Sequence, residues 1–275
     1  MPLVIDFRRA PNVAPFSFRI WLAGLFFGCW ATTAAATAAD CKPSHTDERV
    51  TVAHVHDGDT LRLTDDRRIR LIGVDTPELG RDGHPAQPLA IEARDTLRAM
   101  IKPGDTLHLH YDEERYDRYG RTLAHAYLDN GASVEAQLLQ QGLAATLTIP
   151  PNTGNLACYQ AAEREARQRR RGIWSQPEYQ PVAATSLTGD EQGFRLVTGR
   201  VTRISDHNGN RLIRLEDKIT LRISRKYLAY FTRLSPDRLQ GHAVLARGRL
   251  YSDAGSGELQ MKIRHPSALQ VTEVE

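Results

Sequence analysis

Cysteine is scarce in this chain: three residues in 275, at Cys29, Cys41 and Cys158. No group of cysteines and histidines stands at zinc-ligand spacing, which excludes a zinc-stapled fold. A surplus of charge of one sign is missing too. The formal net charge is +3, too small to define a partner, so the distribution of charge carries the information. A long hydrophobic run is also absent. The apolar stretch from Ile20 to Trp30 falls short of the ~20 residues that a membrane-crossing helix needs. Apolar and charged fractions of 41% and 25% are ordinary for a globular protein and exclude gross disorder.

What is present begins with a targeting pattern. Arg8, Arg9 and Arg19 precede the apolar stretch, and small residues follow through Ala34 to Ala36 and Ala38 to Ala39, just before Asp40. A basic region, an apolar core and a small-residue cleavage zone predict a signal peptide over residues 1–39. The mature protein is then secreted or periplasmic, with no stable membrane partner. The alternatives are an uncleaved inner-membrane anchor and a lipoprotein at Gly28-Cys29, which Phe26 and Phe27 fit poorly. Cleavage leaves Cys41 and Cys158, and an even pair in an exported protein predicts a disulfide. Two unrelated buried thiols are the other possibility.

From Val50 the pattern is strand-like. Three short strands run through Val50–Val55, Leu61–Leu63 and Ile69–Val74, with turns at Asp57-Gly58 and Asp65-Asp66. A polar loop from Leu79 to Pro88 precedes a helical repeat through Ile91, Leu97 and Ile101. Strands at Leu107–Tyr111 and Leu123–Leu128 follow. Ser133 then caps a second helix, and a third runs from about Leu156 to Arg171. This order predicts a mainly β, α+β fold: an OB-type five-stranded barrel with three helices, over residues 40–176. Residues 177–188, rich in proline and small residues, read as a linker. Residues 189–275 carry five more strand patterns and a short helical insert, predicting a second, small OB-like barrel.

Four islands carry the chemistry. Asp59 opens a strand after a turn, and Asp75 closes the third strand, so two carboxylates stand at strand ends. With oxygen donors and no Cys/His cluster, they suit a hard cation such as Ca²⁺. Glu78 lies just beyond Pro77, placed to orient or deprotonate a water. Arg70 and Arg121 offer planar, permanently charged donors for phosphate oxygens. Taken singly each is ordinary turn or surface chemistry; their joint occurrence points to cutting a phosphodiester.

The segments Val55–Thr60, Arg70–Glu78, Asp117–Arg121 and Gly172–Ser175 resemble the staphylococcal-nuclease-like (thermonuclease) family over roughly residues 48–175. The resemblance implies a Ca²⁺-dependent nuclease acting on DNA and RNA and leaving 3′-phosphate ends. Single strands are the expected preferred substrate, a preference the resemblance does not carry because the Leu79–Pro88 loop differs from the family's. It implies that Asp59, Asp75 and the main-chain carbonyl of Thr76 bind the metal. By the same token Arg70 and Arg121 hold the scissile phosphate, and Glu78 serves the attacking water. Where some members of the family place tyrosines before the last helix, this chain has Thr146, Thr148 and Pro150. Tyr119 is then the nearest aromatic residue for the substrate.

The basic run Arg164–Arg171 reads as the solvated face of the third helix, with Glu163 and Glu165 as counter-charges. His54, His56, His108 and His110 read as surface or barrel-lining residues. The C-terminal unit carries arginines on or near its strands, among them Arg247 and Arg249, with Tyr227 and Tyr251 beside them. Basic groups and aromatics together suit single-strand binding; a plain aromatic core with a solvated basic surface is the alternative. A non-catalytic barrel that binds nucleic acid or protein at the envelope is the rival from another functional class.

Overall fold

The computed structural model describes residues 41–272 apart from 81, 82, 84 and 190. The expected signal peptide and Cys29 lie outside the described residues. The first half comprises β1 (Glu48–Val55), β2 (Thr60–Leu63), β3 (Arg68–Leu71), β4 (Gly73–Asp75), α1 (Ala90–Met100), β5 (Thr106–His110), β6 (Thr122–Tyr127), α2 (Val134–Gln140), β7 (Ala145–Leu147) and α3 (Leu156–Gln168). Five of these strands close a barrel in the order β1-β2-β3-β6-β5, with β3 and β6 parallel. Alternation fills it: Val52, Leu61, Leu63, Ile69, Leu71, Leu107 and Leu109 point inward and are buried. The three helices cover it as the sequence predicts, and Ser133 caps α2 by accepting from the Ala136 N–H at 3.2 Å.

Two local departures matter. The third strand does not run on to Val74. It breaks at Ile72, just before Gly73, whose φ of +84° suits glycine and whose missing Cβ makes room for the Tyr159 ring, 2.5 Å from where it would stand. The chain resumes as β4, which leaves the barrel and pairs with β7, Asp75 opposite Ala145. In α1, Ile91 is 54% exposed, while Ala90, Ala93 and Leu97 form the buried stripe. A small-residue face lets the helix lie close to the turn at Gly58. A Cβ on Gly58 would meet Ala93 at 3.0 Å and the Thr76 hydroxyl at 2.7 Å.

The second half comprises β8 (Pro181–Ala183), β9 (Gly193–His207), β10 (Asn210–Leu215), β11 (Ile219–Ser224), β12 (Ala243–Ser252), β13 (Leu259–Lys262) and β14 (Leu269–Thr272). Long β9 pairs with β12 as well as β10, closing a second five-stranded ring, β9-β10-β11-β13-β12. β8 and β14 add to its edges. The 177–188 stretch, expected as a linker, is ordered into this barrel. It forms two 3-10 turns around β8, and Val182, Ala184 and Leu187 pack on the second core.

An apolar seam joins the barrels. Ala145, Ala166, Ile173 and Trp174 from the first half pack with Leu196, Phe194 and Leu245 from the second. Tyr179 bridges them, its ring 5.7 Å from Trp174 and stacked at 5.0 Å on Phe194. Within the first half, Cys41 and Cys158 form the expected disulfide, closing a sequence separation of 117 residues.

Candidate active site

Gly58 and the break before Gly73 together bring Asp59 and Asp75 to one end of the first barrel. The Gly58 turn lies against Thr76, so the buried Asp59 carboxylate accepts from the Thr76 hydroxyl (3.1 Å) and backbone N–H (3.3 Å) through Oδ2. Its other oxygen accepts from the Thr60 hydroxyl at 3.2 Å. Arg70, on β3 opposite Thr60, spans both acids: Nη1 lies 2.7 Å from Asp59 Oδ2 and Nη2 lies 3.5 Å from Asp75 Oδ1. Its guanidinium also donates to the carbonyls of Leu71 (2.8 Å) and Val74 (3.0 Å), which fixes its plane. Burial pushes the Asp59 carboxyl up to about 7, with the Asp57 and Asp75 charges adding to the rise and Arg70 opposing it. Asp59 and Asp75, both within reach of the one Arg70 guanidinium, offer only oxygen donors, which suit a hard divalent cation.

Arg121 lines the same opening. Asp117 shapes the loop by accepting from the backbone N–H groups of Tyr119 and Arg121, each at 2.9 Å, and from Arg121 Nε at 2.7 Å. Burial raises the Asp117 carboxyl, but these hydrogen bonds outweigh it and hold the group below the usual carboxylate range. Tyr119 is 59% exposed, with the guanidiniums of Arg118 and Arg121 lying 4.7 and 5.8 Å from its ring centre. Glu78 is held through its backbone: its N–H donates to the Gln87 side chain and its carbonyl accepts from the Gln87 N–H, both at 2.9 Å. Gln87 belongs to the polar loop that the sequence gives no means of reading.

Asp59, Arg70, Asp75, Glu78, Tyr119 and Arg121 all line one cavity of about 770 Å³. Thr76 lies behind it, buried against Asp59. The opposite wall is the second barrel, which the sequence does not place here. Arg249 of β12 reaches across, Nη2 donating to Glu78 Oε1 at 2.9 Å and Nε to Asp75 Oδ2 at 3.4 Å. Two positions earlier, Arg247 clamps the buried Glu163 of α3 with contacts of 2.9 and 2.6 Å and donates to the Thr146 carbonyl at 3.3 Å. Glu163, expected as a counter-charge within its own helix, is thus a bolt between barrels. Strand alternation puts Arg247, Arg249 and Tyr251 on one face; only the folded chain shows what that face meets.

Away from the cavity, His110 meets an acidic partner after all. Pairing of β1 with β5 sets Asp47 beside it, and Asp47 Oδ2 lies 3.0 Å from His110 Nδ1. With His45 the three offer ligand atoms within 4.8 Å of one another. In the Arg164–Arg171 run, Arg169 and Arg171 lie 3.2 and 3.5 Å from Glu165 as expected of a solvated helix face, but Arg167 turns inward, half-buried with its guanidinium 5.1 Å from the centre of the Trp174 ring.

A five-stranded OB-type barrel that gathers acids and guanidiniums at one end is the framework of a nuclease. The staphylococcal nuclease homologue family model matches residues 68–176. The thermonuclease of Staphylococcus intermedius is 36% identical over 139 residues, covering 48% of this chain and 82% of that protein. The chain belongs to the staphylococcal nuclease family. It is also 35% identical to the thermonuclease of Staphylococcus hyicus over 127 residues (45% of this chain, 74% of that one). Endonuclease YncB of Bacillus subtilis is 34% identical over 135 residues, 47% of this chain and 63% of its own length.

Proposed function

We propose that this nuclease is exported, depends on calcium, and hydrolyses phosphodiester bonds of DNA and RNA, single strands by preference, leaving 3′-phosphate ends. The observation that carries this is the convergence of Asp59, Arg70, Asp75, Glu78 and Arg121 on one cavity. Asp59, Asp75 and the Thr76 carbonyl would hold Ca²⁺, which supplies positive charge beside the scissile phosphate and favours ionisation of a nearby water. Glu78, open to solvent, takes the proton of the attacking water. Arg70 and Arg121 donate N–H groups to the phosphate oxygens, countering charge as it builds. Tyr119 offers a face to a base. The signal pattern of residues 1–39 supports export, and the Cys41–Cys158 bond fits an oxidising compartment.

The test is cleavage of single- and double-stranded DNA and of RNA by the purified mature chain, with calcium and with chelator, followed by end analysis. Calcium-dependent cutting with 3′-phosphate products is expected. Arg121→Ala should lower turnover roughly 10²–10³-fold at a nearly unchanged unfolding midpoint. Tight strand binding without cutting would instead favour a non-catalytic module. A precursor that keeps residues 1–39 and stays in the membrane would refute cleaved export.

A further inference from the structure

The outward positions of β12 climb the seam in order. Leu245 packs in its apolar base and Arg247 bolts onto Glu163. Arg249 contacts Asp75 and Glu78, and Tyr251 lines the cavity beyond them. Lys262 at the end of neighbouring β13, and Arg264 just after it, line the same cavity.

Two of the cations there, Lys262 and Arg264, are uncompensated. Elsewhere on this barrel arginines are neutralised: Arg211 by Asp206 and Asp237, Arg214 by Glu258. Among the described residues, Lys262 and Arg264 have no carboxylate within ion-pairing distance. Lys262 instead places its ammonium 4.9 Å from the centre of the Tyr251 ring. An aromatic face flanked by unpaired cations, continuous with a phosphate-cutting site, has the composition of a single-strand platform.

We propose that the β12–β13 wall is a second nucleic-acid subsite, in which Lys262 and Arg264 hold phosphates and Tyr251 stacks a base of the strand flanking the scissile bond. The assignment rests on the nuclease reading of the neighbouring site. Arg249 links the two. Its side chain is 43% exposed, so a phosphate entering the cavity competes for the guanidinium. Transfer of Arg249 from Glu78 to that phosphate frees the Glu78 carboxylate as the strand arrives.

Anisotropy of a labelled oligothymidylate of about twelve nucleotides, within the usual span of such platforms, tests this with the mature chain in chelator. No cutting is needed for that reading. The double variant Lys262→Ala/Arg264→Ala should bind about tenfold more weakly, and its log–log salt slope should flatten by about 1.4, or ~0.7 per lost phosphate contact. With calcium, the variant should cut a dinucleotide as the parent does but show a raised KM for the longer strand. Both substituted side chains lie outside the catalytic set, and matching circular dichroism would establish folding. Parent-like affinity and salt slope overturn the subsite. If the parent cuts neither substrate while its binding still depends on Lys262 and Arg264, the nuclease reading falls and the subsite stands.

Discussion

The two barrels share a plan and differ in what they bury. Each is a closed ring of five strands around an aliphatic core. In the first, acids are drawn inward at one end: Asp59 is 7% exposed, and Arg70 is locked between it and Asp75. In the second, the buried polar residues are the neutral Asn210 and Thr220, and Arg211 and Arg214 meet acids on the outside. The ring itself confers no chemistry. Reactivity comes from two glycines, Gly58 and Gly73, that let the chain bring polar groups where a side chain would have blocked them. The second barrel contributes through its outer face, by closing the cavity.

The largest expected effect sharpens this contrast. The disulfide crosses only the first barrel, and a closed loop of 117 residues predicts ~5 kcal/mol of stabilisation. Cys41→Ser/Cys158→Ser should lower the first barrel's unfolding midpoint in urea; an unchanged midpoint would show that the bond is ornamental. Next comes Arg247→Ala. It strands Glu163, whose side chain is 4% exposed, and should cost about 3 kcal/mol. After removal of residues 1–39, Trp174 is the single tryptophan and sits in the seam, so its fluorescence reads the loss directly. If the barrels stand independently, little change follows.

A smaller effect depends on pH. Burial pushes His125 down to about 4, and its Nε2 has no hydrogen-bond partner. The unfolded imidazole protonates near 6.5, so between these values the unfolded chain binds more protons and stability falls as pH drops. From neutrality to roughly pH 5.5 the loss should be about 1 kcal/mol. His125→Gln should flatten that limb of the melting-temperature profile, and an unaltered slope would assign it to another group. The smallest effect is Ile91→Gln, expected within ~0.5 kcal/mol by denaturation because the side chain faces water; a larger loss would mean that this face is covered.

Much of the fold was legible because alternation and turn residues act locally. Val50 to Leu71, Asp57-Gly58 and Ser133 announce strands, turn and cap without help from distant groups. The acids and arginines were legible as a set because Asp59, Arg70, Asp75, Glu78 and Arg121 all belong to the first barrel and its loops. Ile91 misled because its spacing fits a helical stripe, while close packing on Gly58 selected the smaller alanines. The third strand read too long because nothing near Gly73 announces that the Tyr159 ring would take its Cβ position. Proline and alanine between residues 177 and 188 imitate a tether, though Val182 and Leu187 find a core. The Arg249 and Arg247 contacts join residues 171 and 84 positions apart, beyond the reach of any local pattern.

The register of β9 against β12 has a consequence for how this protein can change. Eight successive residue pairs, from Ala243 opposite Arg200 to Leu250 opposite Gly193, hold β12 in place. Inserting one amino acid within it would turn Arg249 into the aliphatic interior and swing Leu250 toward the acids. Natural variants should therefore differ in length at the tip after Ser252, and scarcely ever within the ladder before it.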